Sequence, residues 1–336
     1  MDSTTHPGTA VAADWRPALV AAGAAPSVHN TQPWRFVAGP SWLELHLDPA
    51  RLLPVADPTG REARISCGAA LLNLELAVRA EGVEPVVDLL PSAGPPTLRA
   101  VVRRGARRGA TPSTQRLHAA IARRRSHRRP FHPAPVPSAV LHDLGHAAST
   151  EGGYLRLLRE PRLTGEVAAL VREAERRQAE DPDYREELRR WISPDGERAD
   201  GVPHSAAGPR GGDLDVLRIR DFAPDHDRPA RAYESDPLLG VLLLPGDTPR
   251  DQLRAGRALE RVLLTATSRG VGASMISSPV ELAGPRSALR TLLGGSMWPQ
   301  LVLRFGAAVP VAGSPRRPVA DHAEFTDRAE PTHVRS

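Results

Sequence analysis

The residues best suited to chemistry lie in one short stretch near the start of the chain, Pro26-Ser27-Val28-His29-Asn30-Thr31-Gln32-Pro33-Trp34. It sets a hydroxyl and two primary amides in a turn, and each amide carries both a donor and an acceptor. Asn30 and Gln32 are therefore suited to reading a ring whose edge alternates donors and acceptors. Two prolines fix φ here and lower the entropy cost of holding these groups in place. An ordinary Asn- and Ser-rich turn, with Pro33 opening a strand, is the alternative interpretation.

A second stretch, Arg123-Arg124-Arg125-Ser126-His127-Arg128-Arg129, is the densest cationic point of the chain, and Arg316-Arg317 adds two more cations near the end. Guanidinium groups bind phosphate oxygens in pairs, and the Ser126 hydroxyl adds another donor. Together these groups predict a site for one phosphate monoester. A solvated surface run is the alternative. The sequence contains no lysine, which excludes a Walker A lysine and a Schiff base with pyridoxal phosphate.

The elements that must position these residues can be read from the apolar pattern. A helix over 15–25 ends before the first motif, and a helix over 113–125 leads into the arginine stretch. Two longer helices are predicted over 66–81 and 248–269. The two helices form an internal repeat. The number of positions from Gly68 to Gly256 equals the number between the glycine that follows the first helix and the glycine that follows the second. This internal repeat favours a duplication over a chance match of two Leu- and Ala-rich helices.

The composition is that of a globular protein, with 336 residues and 40% hydrophobic side chains. The chain has no run of 18 apolar residues and no secretory pattern over residues 1–14, so we expect a disordered leader, no membrane partner and a cytoplasmic location. The single cysteine, Cys67, excludes an internal disulfide and a multi-cysteine zinc site. His142 and His146 lack the glutamate of a His-Glu-x-x-His motif, so no metal site is expected.

The net charge of +5 raises the question of a nucleic-acid partner. The 39 acidic residues are interspersed with the basic ones, aromatic residues make up only 4% of the chain, and no nucleic-acid module is visible. We therefore interpret most of the charge as solvated surface and expect no nucleic-acid partner.

The first motif resembles the signature by which nitroreductases contact flavin mononucleotide (FMN), and its two amides suit the pyrimidine edge of a flavin. Arg124-Arg125-Ser126-His127-Arg128 resembles the motif that normally opens a nitroreductase chain and binds the phosphate and the flavin ring. In this chain the opening motif comes second, so the resemblance implies two nitroreductase halves fused in tandem. Each half keeps one of the two motifs, which implies a single flavin site.

Over roughly residues 15–320 the chain is similar to the Acg-type tandem flavin-binding proteins of actinobacteria. The resemblance implies an α+β, nitroreductase-like fold in which two fused pseudo-symmetric halves share one core as an internal pseudo-dimer. It implies an N-terminal half at residues 15–112 and a C-terminal half at 113–312. A lid loop is expected at about 193–213, and a C-terminal tail at 313–336.

The same resemblance implies which residues hold FMN, the expected cofactor. Ser277, Ser278 and Pro279 would lie near the flavin N5 edge, and Arg316 or Arg317 would reach the phosphate. The full set of expected cofactor-binding residues is Pro26, Ser27, His29, Asn30, Gln32, Arg124, Arg125, Ser126, Arg128, Ser277, Ser278, Pro279, Arg316 and Arg317. No catalytic side chain is expected, because the flavin performs the chemistry.

The implied function is that of an FMN-dependent oxidoreductase, with NAD(P)H as a candidate electron donor. Hydride would pass through flavin N5 to a small acceptor that the sequence does not identify. A non-catalytic protein that sequesters FMN beneath a lid is the alternative. The internal pseudo-dimer makes a monomer the expected state, with a homodimer of fused chains as the other option.

Overall fold

The computed structural model describes residues 14–212, 215–217, 219–222, 229–308 and 311–328. Within these ranges the helices are α1 (Arg16–Gly23), α2 (Arg61–Ala80), α3 (Pro112–Ile121), α4 (Ser138–Thr150), α5 (Pro161–Glu180), α6 (Pro182–Arg190), α7 (Pro249–Ser268), α8 (Ser278–Glu281) and α9 (Ala283–Leu292). The strands are β1 (Trp34–Ala38), β2 (Trp42–Leu47), β3 (Val83–Leu89), β4 (Leu98–Arg107), β5 (Tyr154–Leu158), β6 (Ile192–Ser193), β7 (Val202–Pro203), β8 (Leu238–Leu244), β9 (Val271–Ile276), β10 (Trp298–Ala307) and β11 (Ala323–Phe325).

The strands form two larger sheets and one two-stranded sheet. The front sheet has the strand order β11-β1-β2-β4-β3, and the rear sheet has the order β5-β8-β10-β9. Within these two larger sheets neighbouring strands are antiparallel except at the edge of the front sheet, where β11 runs parallel to β1. The short strands β6 and β7 pair in parallel. In the rear sheet the central strands β8 and β10 are buried along nearly their whole length, and the continuous apolar run of β8 predicts this for that strand.

Helices α2 and α7 pack against each other through two glycines. A Cβ atom at Gly68 would lie 2.0 Å from the carbonyl oxygen of Leu253, and one at Gly256 would lie 1.8 Å from that of Ile65. Both helices have 20 residues, and each residue of α2 has its counterpart in α7 188 positions later. The same offset separates Arg64 from its hydrogen-bond partner Gln252. Ile65 and Leu253 are equivalent under the same offset, so the contact is reciprocal, as in a pair related by a two-fold axis.

Two predicted helix boundaries were wrong, and both errors affect the candidate site. Helix α2 begins five residues before the predicted start, because the Asp57 carboxylate accepts a hydrogen bond from the backbone N–H of Ala63 in its first turn. Helix α3 ends at Ile121 rather than at 125. Beyond it the chain runs beside β9, where the backbone N–H of His127 donates to the carbonyl of Ala273 at 2.8 Å.

The tail closes the front sheet, because β11 lies after the last strand of the rear sheet in the chain and pairs with β1. Residues 1–13 of the expected leader, Asp213 of the expected lid loop, and residues 309–310 and 329–336 lie outside the described residues. The proposed boundary between residues 112 and 113 stays a prediction. In the part of the chain that is described, no helix combines the length and the apolar character needed to cross a membrane.

The close approach of the two helices predicts a strong effect of Gly256→Ala. The new methyl group would meet the backbone of α2, which cannot move aside as a flexible side chain can. We expect the free energy of unfolding to fall by about 1–3 kcal/mol or more, measured by urea denaturation. Gly145→Ala in α4 is the matched control, because a Cβ there meets nothing within 4 Å. It should raise stability by about 0.5–1 kcal/mol, and equal effects of the two variants would contradict the prediction.

Candidate functional site

The first motif folds into a strained turn. His29, Asn30 and Gln32 have φ values of 48°, 56° and 51°, in the left-handed region that L-residues rarely adopt. The Ser27 hydroxyl accepts a hydrogen bond from the backbone N–H of Gln32 at 2.9 Å and so holds the turn closed. Such strain costs about 1 kcal/mol or more per residue and persists where the surroundings impose it, often at functional sites.

The Asn30 side chain joins the turn to two distant segments. Its Nδ2 donates to the carbonyl of Gly201 at 2.8 Å, in the 193–212 loop, and to that of Pro315 at 3.1 Å, in the tail. Its Oδ1 accepts from the Arg316 guanidinium at 2.8 Å. The amide predicted to read a ligand is therefore fully engaged with the protein.

Gln32 is engaged in the same way. Its Nε2 donates to the carbonyl of Ala199 at 2.9 Å, and its Oε1 accepts from the backbone N–H of Arg317 at 2.9 Å. Both amides are buried and neither lines the cavity described below. Together with Asn30, this residue fastens the 193–212 loop and the tail to the strained turn.

A cavity lies where the turn, α2, α7, β9 and the 219–222 segment meet. Its volume is about 800 Å³, including the part that is open to solvent. Its lining residues are Pro26, Ser27, Val28, His29, Glu62, Ile65, Ser66, Ser126, Arg128, Glu175, Ile219, Arg220, Phe222, Leu259, Ser274, Met275, Ile276, Ser277 and Leu301. An apolar wall with a few convergent polar groups is typical of a small-molecule site.

The structure brings six of the expected cofactor-binding residues to this cavity, from both motifs and from the end of β9. They are Pro26, Ser27, His29, Ser126, Arg128 and Ser277. Ser278 and Pro279 begin α8 and are buried beside the cavity without lining it. Arg125 is exposed, and its guanidinium donates to the carbonyl of Ala122 at the end of α3.

Arg128 is a cation without a carboxylate partner among the described residues. Its guanidinium lies 4.7 Å above the Phe222 ring and donates to the carbonyl of Ala206, in the 193–212 loop, at 3.1 Å. Burial and the nearby cations Arg124 and Arg220 lower its pKa to about 10. A cation held in this way favours an electron-rich ligand atom in the cavity.

A pair of arginines lies beside the cavity, one from the second motif and one from the tail. The Nη2 atoms of Arg124 and Arg316 both donate to the carbonyl oxygen of Ala24, at 3.2 and 3.4 Å, and the Nε atom of each is buried without a hydrogen-bond partner. Burial and the charge of Arg124 lower the pKa of Arg316 to about 9. The buried carboxyl of Glu260 lies 3.6 Å from Arg124, and burial raises the pKa of this carboxyl to about 7. Among the described residues, Glu260 is the only carboxyl that forms an ion pair with either guanidinium, so the pair keeps a surplus of positive charge, which suits an anionic ligand.

Sequence reasoning missed a buried charge cluster on the wall of the cavity. Arg220 binds both carboxylate oxygens of Glu281 in α8, at 3.1 and 2.7 Å, and its Nε lies 3.5 Å from the carboxylate of Glu175 in α5. It also donates to Gln178 at 2.9 Å. Although burial opposes ionisation, the Arg220 charge lowers the pKa of Glu281 to about 2. No local motif marks Arg220, because its partners come from helices far away in the chain.

Glu62 at the start of α2 is the other carboxyl that lines the cavity near this cluster. One of its oxygens accepts from the Arg61 guanidinium at 2.7 Å. Burial and the neighbouring Glu281 charge raise the pKa of Glu62 to about 8. The carboxyl therefore keeps its proton at neutral pH.

The 193–212 loop packs directly against the second motif. A Cβ at Gly208, where φ is +81°, would lie 2.1 Å from the carbonyl oxygen of Arg128. The Tyr233 hydroxyl donates to the same oxygen at 2.8 Å. This loop therefore contacts both motifs, and its role as a lid stays a prediction.

Comparison with known proteins gives whole-length relatives, although no family model matches the chain. It is 33% identical over 324 residues to "Putative NAD(P)H nitroreductase Rv3131" of Mycobacterium tuberculosis, covering 93% of this chain and 91% of that protein. It is 30% identical over 302 residues to "Putative NAD(P)H nitroreductase acg" of the same organism, covering 88% and 90%. A solved nitroreductase with bound FMN from Desulfitobacterium hafniense DCB-2 is 17% identical, with a TM-score of 0.40, and covers 63% of this chain and 98% of that chain.

The identity and coverage of the curated relatives show that the chain belongs to the nitroreductase superfamily. Within it, the match to the acg protein confirms the Acg-type branch that the two motifs predict. The helices and antiparallel sheets agree with the expected α+β fold class.

The protonated carboxyl of Glu62 predicts a pH-dependent effect of Glu62→Gln. The group holds its proton up to a pH of about 8 in the folded state but only to about 4.5 when unfolded. The folded protein thus binds more protons between these values, and the wild type loses stability as the pH rises through them. Between pH 5 and 8, we expect the wild type to lose roughly 1–3 kcal/mol relative to the variant, measured by urea denaturation.

The control for this experiment is Glu324→Gln, because that side chain is 67% exposed at the surface of β11. The stability difference between the control and the wild type should not change with pH. A Glu62→Gln difference that stays constant from pH 5 to 8 would contradict the prediction.

Proposed function

We propose that this protein binds one FMN at the cavity between its two motifs and acts as an NAD(P)H-dependent oxidoreductase of nitroreductase type. Hydride would pass through the flavin N5 atom to a small acceptor. The observation that carries the proposal is the shared cavity, which is lined by Ser27 of the first motif and by Ser126 and Arg128 of the second. The names of the two curated relatives, both NAD(P)H nitroreductases, support the class of reaction.

The arginine pair fits the phosphate of FMN. Arg124 and Arg316 converge on one neutral carbonyl, and each has a buried Nε without a partner. A phosphate monoester dianion would supply the missing charge and accept hydrogen bonds from both guanidiniums. We assign the phosphate to this pair rather than to Arg125 and Arg317, because Arg125 is exposed and Arg317 lies near the carboxylates of Asp48 and Asp321.

The cavity itself fits a flat ring with one polar edge. Leu259 and Met275 supply apolar surface, while Ser126 and Arg128 supply donors for ring oxygen and nitrogen atoms. Ser277 would lie at another edge of the ring, and the buried residues Ser278 and Pro279 would hold it in position. Bound FMN supplies the hydride-transfer chemistry, and the protein supplies position and electrostatics. Asn30 and Gln32 would act indirectly, by holding the turn that carries Ser27.

The phosphate assignment predicts opposite results for two neighbouring arginines. In Arg316→Gln, we expect the Kd for FMN to rise about 10- to 100-fold, because a charge-assisted contact with the phosphate is lost. The Kd for riboflavin, which has no phosphate, should change little. Both constants can be measured by quenching of flavin fluorescence.

Arg317→Gln is the matched control, because this side chain is adjacent in sequence but does not belong to the arginine pair. Its Kd for FMN should stay within about threefold of the wild type. If Arg316→Gln weakens FMN and riboflavin equally, the residue supports the fold rather than the phosphate.

A second candidate function is FMN sequestration without catalysis. The observation that favours it is the packing of the 193–212 loop against both motifs, at Gly201 and at Gly208. A loop fastened in this way would close the cavity to a nicotinamide. In that case the cofactor would be stored rather than used.

Anaerobic reduction separates the two functions. For the oxidoreductase, we expect NADH or NADPH to bleach the absorption of protein-bound FMN much faster than that of free FMN under the same conditions. Dithionite serves as the positive control, because it reduces flavin without needing a nicotinamide site. Bleaching by dithionite alone would favour sequestration, and a purified protein that binds no FMN would overturn both candidates.

A further inference from the structure

His29 has a fixed tautomer. Its Nε2 atom lies 3.0 Å from Nη1 of Arg220, and an arginine guanidinium can only donate. Nε2 must therefore accept, which leaves the proton of the neutral ring on Nδ1. Burial and the Arg220 charge lower the pKa of His29 to about 3, so the ring stays neutral at ordinary pH. Arg220 is itself held by both oxygens of Glu281.

The Nδ1–H group of His29 has no hydrogen-bond partner among the described residues. The residue is only 3% exposed, its Nδ1 makes no hydrogen bond, and the side chain forms part of the cavity wall. An unsatisfied buried donor is destabilising, and the left-handed backbone at φ 48° adds strain. A ligand with an acceptor atom at this wall would satisfy the Nδ1–H donor.

The groups around the ring lie outside the expected cofactor-binding set. Tyr184 of α6 and Phe222 approach it edge-on, with ring centroids 6.4 and 5.8 Å away, and Arg220 contacts it through Nε2. The carboxylates of Glu175 and Glu281 neutralise Arg220, while the Arg128 guanidinium lies over the Phe222 ring. The His29 imidazole therefore presents a neutral donor beside two aromatic side chains, which suits an uncharged acceptor.

We propose that His29 orients the substrate to be reduced, by donating a hydrogen bond from Nδ1 to an uncharged oxygen such as that of a quinone. The inference rests on the proposed function and assigns His29 to the substrate rather than to the cofactor. Arg220 is a positioning residue, because it acts through the imidazole by fixing the tautomer. No bond is made or broken by either residue.

Two variants of the FMN-loaded protein distinguish the role of Nδ1 of His29 from that of Nε2. The amide nitrogen of His29→Asn can occupy the place of Nδ1 and keep the donor, and Asn tolerates a positive φ. In His29→Gln the amide oxygen can still accept from Arg220, but the donor at the δ position is lost. With menadione as the probe and no reductant present, binding can be followed through the absorption of the oxidised flavin. We expect the Kd for menadione to rise about tenfold in His29→Gln and less than about threefold in His29→Asn.

The control is His46→Gln, because this buried histidine lies on β2 and is bonded to Glu44 and Thr97 away from the cavity. It should leave the Kd for menadione unchanged, and all three variants should keep the wild-type Kd for FMN. Equal losses of menadione in both His29 variants, a weaker Kd for FMN in His29→Gln, or no menadione binding to the wild-type holoprotein would overturn the proposal. A wild-type protein that does not bind FMN would instead overturn the proposed function.

The imidazole ¹⁵N spectrum of the wild-type holoprotein gives a readout that does not depend on any variant. We expect the Nδ1–H tautomer of His29 and a shift of its Nδ1 resonance on addition of menadione. An Nε2–H tautomer, or a resonance that menadione leaves in place, would overturn the assignment. Retention of the Nδ1–H tautomer in Arg220→Gln, where the amide oxygen can accept a hydrogen bond from Nε2–H, would overturn the positioning role of Arg220.

Discussion

The contact of α2 and α7 at Gly68 and Gly256 is the constraint on which the cavity depends. Because neither glycine carries a side chain, the two backbones touch, and each helix sends residues into the same cavity. Ile65 comes from α2 and Leu259 from α7, while one motif comes from the start of the chain and the other from residues 123–129. In a homodimer such an interface would be built from two copies of one helix. Here α2 and α7 of a single chain make the reciprocal contact, which is what a tandem duplication would produce.

Arginine carries the charge at the site in three different settings. Arg220 is saturated by carboxylates and stabilises the wall of the cavity. Arg128 faces the cavity without an ion pair among the described residues, and Arg124 and Arg316 share one carbonyl oxygen. Only Arg128 and the pair Arg124 and Arg316 can still bind a ligand. The positive charge near the motifs is therefore explained by the expected anionic ligand rather than by the basic composition of the whole chain.

Much of the scaffold could be predicted, because the apolar pattern and the capping residues act locally. Thr248 and Asp251 form a capping box at the start of α7, close to the predicted helix. The start of α2 could not be predicted, because Arg61 and Glu62 look like surface residues and are buried only by contacts with other elements. The strand β9 was also missed, because its Gly- and Ser-containing sequence becomes a strand only through its pairing with β10.

The sequence by itself determined the family, the two motifs and the glycine spacing of the paired helices, since these depend on residue type and order. Only the tertiary structure decided which polar groups face the cavity. The hydrogen-bond partners of Asn30 lie 171 and 285 residues away in the chain, and Arg220 meets His29 across 191 residues. A buried polar group must find a partner wherever the fold provides one, so its orientation follows from packing that no local pattern records.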